Sequence, residues 1–168
     1  MLEDPSGWVS PLLVAPKSDG DIRICIDMRR ANEAIIRERH PIPTVEELLH
    51  DLNGSTVFSK VDLKWVFHQI LLNEDSRLIK TFVTHRGLYR YKRLMFGVTS
   101  GLEKYQQIVR DVLRGCEGVA NIADDLIIHG NGVEEHDKSL FAVLDRLRHV
   151  GLTRNGNKCE FRFRARID

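Results

Sequence analysis

The chain has 168 residues, 42% hydrophobic and 29% charged, the balance of one globular domain and not of a disordered or low-complexity chain. Lys and Arg total 25 against 24 Asp and Glu, a formal net charge of +1, so bulk charge neither points to a nucleic-acid partner nor excludes one. Cys25, Cys116 and Cys159 form no CxxC pair, no apolar run reaches a membrane span and no signal peptide opens the chain, which argues against a disulfide framework, a cysteine zinc site and membrane association and fits a reducing intracellular compartment.

The predicted elements follow in chain order. The apolar run 12–15 ends at Pro16 and reads as a strand; 18–21 is a turn; 22–27 is its hairpin partner. Residues 28–37 read as a short helix, and Pro41 and Pro43 break the chain after it. Thr44 with Glu47 three residues on is a capping-box pattern opening a helix over 45–52. A β-prone run covers 56–63, and 65–72 is apolar enough for a buried turn or short helix. Segments 80–85 and 88–93 flank Arg86-Gly87 as a hairpin. Helical spacing aligns Tyr105, Ile108, Val109, Val112 and Leu113 within 101–114, stopped by Gly115. Runs 119–122 and 126–128 make a hairpin around Asp124-Asp125. The strongest helix is 133–149, with Leu140, Val143, Leu144, Leu147 and Val150 on one side and Gly151 at its end; the tail then alternates Phe and Arg. Without a repeating βαβ order, the class is α+β.

Two adjacent acids at a tight apolar hairpin repel each other and gain no burial there, so either a bound divalent cation offsets the repulsion or the turn is simply exposed. Asp62 closes the run Phe58-Ser59-Lys60-Val61-Asp62-Leu63 ahead of bulky Trp65-Val66-Phe67; it either needs a partner or metal, or caps a helix over 63–70. Carboxylates of this kind build two-metal sites, in which Mg²⁺ keeps positions open for phosphate and water.

Five segments in order resemble the reverse transcriptase domain of Ty3/gypsy-type LTR retrotransposon Pol polyproteins. They are Trp8 to Lys17 continuing through Arg23 to Arg29, His40-Pro41-Ile42-Pro43, Phe58 to Ile70, Arg93 to Ser100, and Ile122-Ala123-Asp124-Asp125. The resemblance covers about residues 6–161. It implies a right-hand polymerase of fingers (about 1–55 and 75–95) and palm (about 56–74 and 96–168), with the thumb absent. It implies templated transfer of dNTPs to a primer 3′-hydroxyl on RNA or DNA, using two Mg²⁺ ions with Mn²⁺ as a possible substitute. Asp62, Asp124 and Asp125 match the catalytic and metal-binding carboxylates, Asp125 being the less direct ligand. Phe67 falls at the family's steric gate against a 2′-hydroxyl, or else is core. Lys17 and Arg23 match triphosphate-binding cations, otherwise solvated hairpin charges. Phe96 and Gly97 match nucleotide contacts. Asp27, Arg29 and Asn32 also match, although an internal ion pair explains them as well.

His136, in Glu134-Glu135-His136-Asp137, reads as a solvated residue at a helix start in preference to a metal ligand. Arg162, Arg164 and Arg166 form a basic tail that either touches nucleic acid or lines a solvated edge. The chain departs from the family at Ile122, where an aromatic is usual, at Val66, where glycine is usual and a branched side chain would crowd the nucleotide or strain the turn, and at Gly101-Leu102 in place of Ala-Pro. Expected partners are a template with primer, dNTPs, and the thumb, RNase H and integrase modules of a parent polyprotein in a cytoplasmic particle. The alternatives are a truncated, inactive remnant that at most binds nucleic acid and, more weakly, a metal-dependent nuclease.

Overall fold

Short strands separated by Gly and Asp turns pair into two four-stranded sheets in the computed structural model, which describes residues 7–16, 20, 22–37, 44–122 and 124–165. Lys17, most of the 18–21 turn, Pro41, Pro43, Ala123 and Arg166 lie outside the described residues, as does the side chain of Arg23. Two units divide the chain: Met1–Arg39 with Phe67–Leu102, and His40–Val66 with Glu103–Asp168. No described helix is long and apolar enough to cross a membrane.

In the first unit β1 (Ser10–Pro16) and β2 (Ile22–Ile26) form the expected hairpin, from Leu12 opposite Ile26 to Pro16 opposite Ile22. Strand β1 also runs parallel to β4 (Thr81–Thr84), which turns at Arg86-Gly87 into β5 (Gly87–Arg90), giving the order β2-β1-β4-β5. Helix α1 (Arg29–Glu33) is shorter than the 28–37 span: Met28 lies outside the helix as its N-cap and is buried with Ile26, Ala31 and Met95. Trp8, Leu12, Phe82 and Tyr91 pack around that cluster. A further turn of helix, α3 (Glu74–Arg77), is capped by the Asn73 side chain.

In the second unit β3 (Val57–Asp62), β6 (Val119–Ile122), β7 (Asp125–Gly130) and β8 (Glu160–Arg164) are ordered β6-β7-β3-β8. Helix α2 (Val45–Leu52) carries the predicted capping box: Thr44 Oγ1 accepts from Glu47 N–H at 3.2 Å, and Glu47 Oε2 accepts from Thr44 N–H at 2.8 Å. Helix α2 packs in the second unit, where Leu52 joins Phe58 and Ala120. Helix α4 (Gly101–Val112) buries Tyr105 and Val109 on its predicted face, with Leu113 buried just beyond its end. Helix α5 (Val133–Val150) buries Leu140, Val143 and Leu147, ending at Gly151 in the left-handed region, although Val150 is exposed.

His136 corrects the sequence reading. It is fully buried, not solvated. Its Nδ1 carries the proton that meets Asp137 Oδ1 at 3.0 Å, and its Nε2 lies 2.8 Å from Ser59 Oγ on β3. Ser59 Oγ also accepts the Arg162 N–H at 3.0 Å, at the point where the β3–β8 register shifts and Arg162 takes φ +56°. The Arg162 guanidinium closes the chain on Asp137, at 3.0 and 2.6 Å. Arg162 is therefore a structural partner within the unit as well as an edge cation.

Candidate active site

Strands β3 and β7 are antiparallel, and their register ends with Asp62 opposite Asp125. Asp124 occupies the turn from β6 into β7, so the pairing brings the predicted acids to one end of the sheet. Backbone hydrogen bonds fix this end. Leu63 N–H donates to Asp124 C=O at 3.1 Å, and Asn155 N–H donates to Asp62 C=O at 2.9 Å. Asp62 thus ends a strand and does not cap a helix; the following turn of 3-10 helix spans Val66–Gln69.

The electrostatics of this end are those of an undercompensated acidic cluster. Asp124's carboxyl is pushed up, first by burial and then by the charges of Asp125 and Asp62, against a smaller opposing effect of Lys158. Tyr105's phenol is also pushed up, first by burial and then by Asp124, Asp125 and Asp62. One cation answers directly: Lys60 Nζ sits 2.9 Å from Asp125 Oδ2 and its pKa is raised, chiefly by that bond. The other oxygen, Asp125 Oδ1, is buried with no hydrogen-bond partner. Sequence reasoning missed Lys60, although residues two apart on a strand share a face and so place it beside Asp62.

The donor set fits a hard divalent cation: carboxylate oxygens only, one of them buried and unmet, around mutually repelling charges. Among the described residues, however, no three His, Cys, Asp or Glu side chains already stand close enough to form a cage.

The nucleotide-contact candidates lie in the first unit and are described there by themselves. Phe67 meets Phe96 edge-to-face at 4.9 Å between ring centroids. Phe96 is exposed, and Gly97 takes φ +87°. A Cβ at Gly97 would have room, so the backbone sign and not crowding requires glycine there. Asn32 holds this loop, donating to Gly97 C=O at 2.8 Å and accepting Thr99 N–H at 3.0 Å. Asp27 and Arg29 form the expected internal ion pair, which lowers the Asp27 carboxyl to about 2. Arg23 belongs to β2, and Lys17 lies outside the described residues.

One departure resolves differently from expectation. Val66 is buried at 2% exposure in the second unit's core, while the strain falls on Trp65, at φ +48°. Trp65 is itself 70% exposed, not part of a buried turn. Ile122, at the aromatic position, is partly exposed.

The family model for the reverse transcriptase (RNA-dependent DNA polymerase) matches residues 15–166. The chain belongs to the reverse transcriptase family. It is 36% identical over 157 residues to "Uncharacterized protein K02A2.6" of Caenorhabditis elegans, covering 92% of this chain and 12% of that protein. It is 30% identical over 153 residues to the Transposon Tf2-3 polyprotein of Schizosaccharomyces pombe, covering 90% of this chain and 12% of the polyprotein. The polyprotein is a transposon's, in keeping with the retrotransposon assignment, and the chain spans about an eighth of the length of both relatives. Among solved structures it resembles the foamy viral protease-reverse transcriptase in complex with double-stranded DNA, with TM-score 0.85, 24% identity, and coverage of 95% of this chain and 28% of that one. The native prototype foamy virus protein gives TM-score 0.83 at 22% identity, over 94% of this chain and 21% of that one. The fold is the α+β fingers-and-palm fold expected from the sequence.

Proposed function

We propose that this reverse transcriptase domain carries the nucleotidyl-transfer chemistry of an RNA-directed DNA polymerase. A primer 3′-hydroxyl attacks the α-phosphate of a dNTP, and pyrophosphate leaves. The observation that carries the reading is the carboxylate end of β3 and β7, where Asp62 and Asp125 stand in register beside Asp124. Asp62 and Asp124 are assigned as the direct ligands of two Mg²⁺ ions, with Mn²⁺ as substitute. Asp125, already tied to Lys60, is the less direct ligand. When bound, such ions acidify the attacking hydroxyl and neutralise the leaving pyrophosphate. The protein's own part is preorganisation: the sheet register holds the carboxylates before substrate arrives, so little reorganisation is left for the reaction itself.

Nucleotide binding is assigned to Lys17, Arg23, Phe67, Phe96 and Gly97. The edge-to-face contact with Phe96 supports Phe67 as a firm wall against a 2′-hydroxyl. The foamy viral enzyme in complex with an RNA/DNA hybrid supports a template-primer as the partner. The thumb, RNase H and integrase modules of a parent polyprotein belong to the same proposal.

Primer extension on an RNA template with dNTPs and Mg²⁺ tests the reading, with Asp124→Asn plus Asp125→Asn as control. Extension that vanishes in the control supports it. No extension by the folded chain supplied with its C-terminal polyprotein modules overturns it.

A further inference from the structure

A cavity of about 390 Å³ opens at the edge of the second unit's sheet, within the size range of small-ligand sites. Among the described strands, β6 is an edge strand with β7 on one side only. Gly118 C=O accepts from His129 N–H at 2.9 Å. The antiparallel alternation therefore turns the backbone groups of Gly118 and Ala120 toward β7 and leaves those of Val119 and Asn121 facing away. Helix α2 contributes Leu48 and Asp51 to the cavity, α4 contributes Gln106 and Arg110, and the turn after α4 contributes Leu113, Arg114 and Cys116. All of these residues belong to the second unit.

Three polar atoms in this wall are unmet. Gln106 is 8% exposed, and its Oε1 is buried with no hydrogen-bond partner. Both amide atoms of Asn121, Oδ1 and Nδ2, are buried without a partner as well. Each such atom carries its desolvation cost uncompensated. The terminal torsion of an amide side chain is broad, so a turn about the side-chain bonds swings the group out of the wall and into the cavity. For Asn121 no side-chain hydrogen bond has to break first.

What these atoms lack defines what they would take. Asn121 Oδ1 and Gln106 Oε1 accept, and Asn121 Nδ2 donates. Their complement is two N–H groups beside one C=O, which is a primary carboxamide. Its oxygen accepts from Asn121 Nδ2, one N–H donates to Asn121 Oδ1 and the other to Gln106 Oε1. Leu48, Leu113 and Ala120 give the cavity apolar surface for the body that carries the amide. The rim does not favour an anion: Arg114 is paired with Asp111, and Asp51 stands with Arg110, so the charges balance. We propose that this cavity binds a small neutral molecule carrying a primary carboxamide on an apolar ring. Water would satisfy the amides but gain nothing from the apolar wall. The site uses none of the acidic residues at the end of β3 and β7.

The probe is benzamide, titrated into the ¹⁵N-labelled chain while NMR follows the side-chain amide signals of Asn121 and Gln106. Benzamide is expected to shift both and to saturate. N,N-dimethylbenzamide keeps the carbonyl and loses both N–H groups, and is expected to bind at least about tenfold more weakly. Asn121→Leu replaces the unmet amide by an apolar group of similar size, so it is expected to fold at least as stably and to lose that discrimination. A measurement on the unmodified chain runs in parallel. Benzamide is expected to slow the reaction of Cys116 with N-ethylmaleimide and to leave the other two free thiols, Cys25 and Cys159, unchanged. Amide signals that do not move, equal affinity for the two amides, or tighter binding of benzoate than of benzamide each overturn the proposal. Discrimination that survives Asn121→Leu overturns it too, as does a Cys116 left unprotected or protection of all three thiols alike. None of these readouts involves primer extension, so this site and the polymerase reading fail separately.

Discussion

Lys80 offers the sharpest quantitative test of how the first unit is stabilised. It sits at 3% exposure where a short 3-10 turn, Leu78–Lys80, enters β4, and no carboxylate among the described residues pairs with it. Burial alone brings its pKa from 10.5 down to about 8. A shift of that size penalises the folded state by up to about 3 kcal/mol at pH 7. Lys80→Met keeps the length and apolar stem and deletes the charge, so it is expected to stabilise the unit by about 1–3 kcal/mol at pH 7. The sign with pH follows from linkage. Between about pH 8 and 10.5 the unfolded chain holds the Lys80 proton while the folded chain has released it, so the penalty is full below pH 8 and fades as pH rises. The wild type should therefore approach the variant across that window and match it above. Tyr91's phenol is pushed up, chiefly by burial, and the difference between the two proteins cancels the contribution of such groups. Urea melts at pH 7 and at a series of values up to 10.5, read by fluorescence of Trp8, which packs on the first unit's core, measure it. A variant less stable than wild type at pH 7, or a difference that ignores pH, refutes the reasoning.

Two further outcomes follow from close contacts in the second unit. Ser59→Ala leaves a ring nitrogen of fully buried His136 without a partner and should cost about 1–3 kcal/mol in a urea melt; a loss below about 0.5 kcal/mol would show that the Ser59 contact is dispensable. Gly130→Ala would place a Cβ 2.5 Å from His136 N and 2.8 Å from its Cα, both backbone atoms, so thermal melts should show it destabilised by at least about 1–3 kcal/mol.

What was legible in the sequence was local. Thr44 and Glu47 lie three residues apart and satisfy each other's backbone groups, so the pattern alone identifies the cap. The Tyr105, Val109 and Leu113 face follows from helical period, and Gly151 from the left-handed residue that ends a helix. The misreadings concern partners far away in the chain. The acids around His136 suggest water, yet its buried partner Ser59 is 77 residues away. Nothing in β1 names β4 as its parallel neighbour, since parallel pairing leaves no turn signal. Lys60 and Asp125 meet only because β3 and β7 pair. Asp62 and the aspartate pair stand out locally, but only the order of five family-like segments joins them into one site, because an Asp-Asp turn by itself is as readily an exposed loop.

The period of two along β3 explains how one strand serves both the core and the acidic end. Ser59 and Val61, both fully buried, alternate with Phe58, Lys60 and Asp62. The first face meets α5 through His136, and its β7 counterparts Leu126 and Ile128 are fully buried as well. The opposite face changes character along its length: Phe58 packs with Leu52 and Ala120, Lys60 pairs with Asp125, and Asp62 closes the strand. A slip of one residue would turn Asp62 toward α5 and Ser59 away from His136. The buried Ser59–His136 contact therefore disfavours the register in which the acids could not meet. Stability on one face sets the spacing of like charges on the other, a spacing that those charges, by their mutual repulsion, would not adopt unaided.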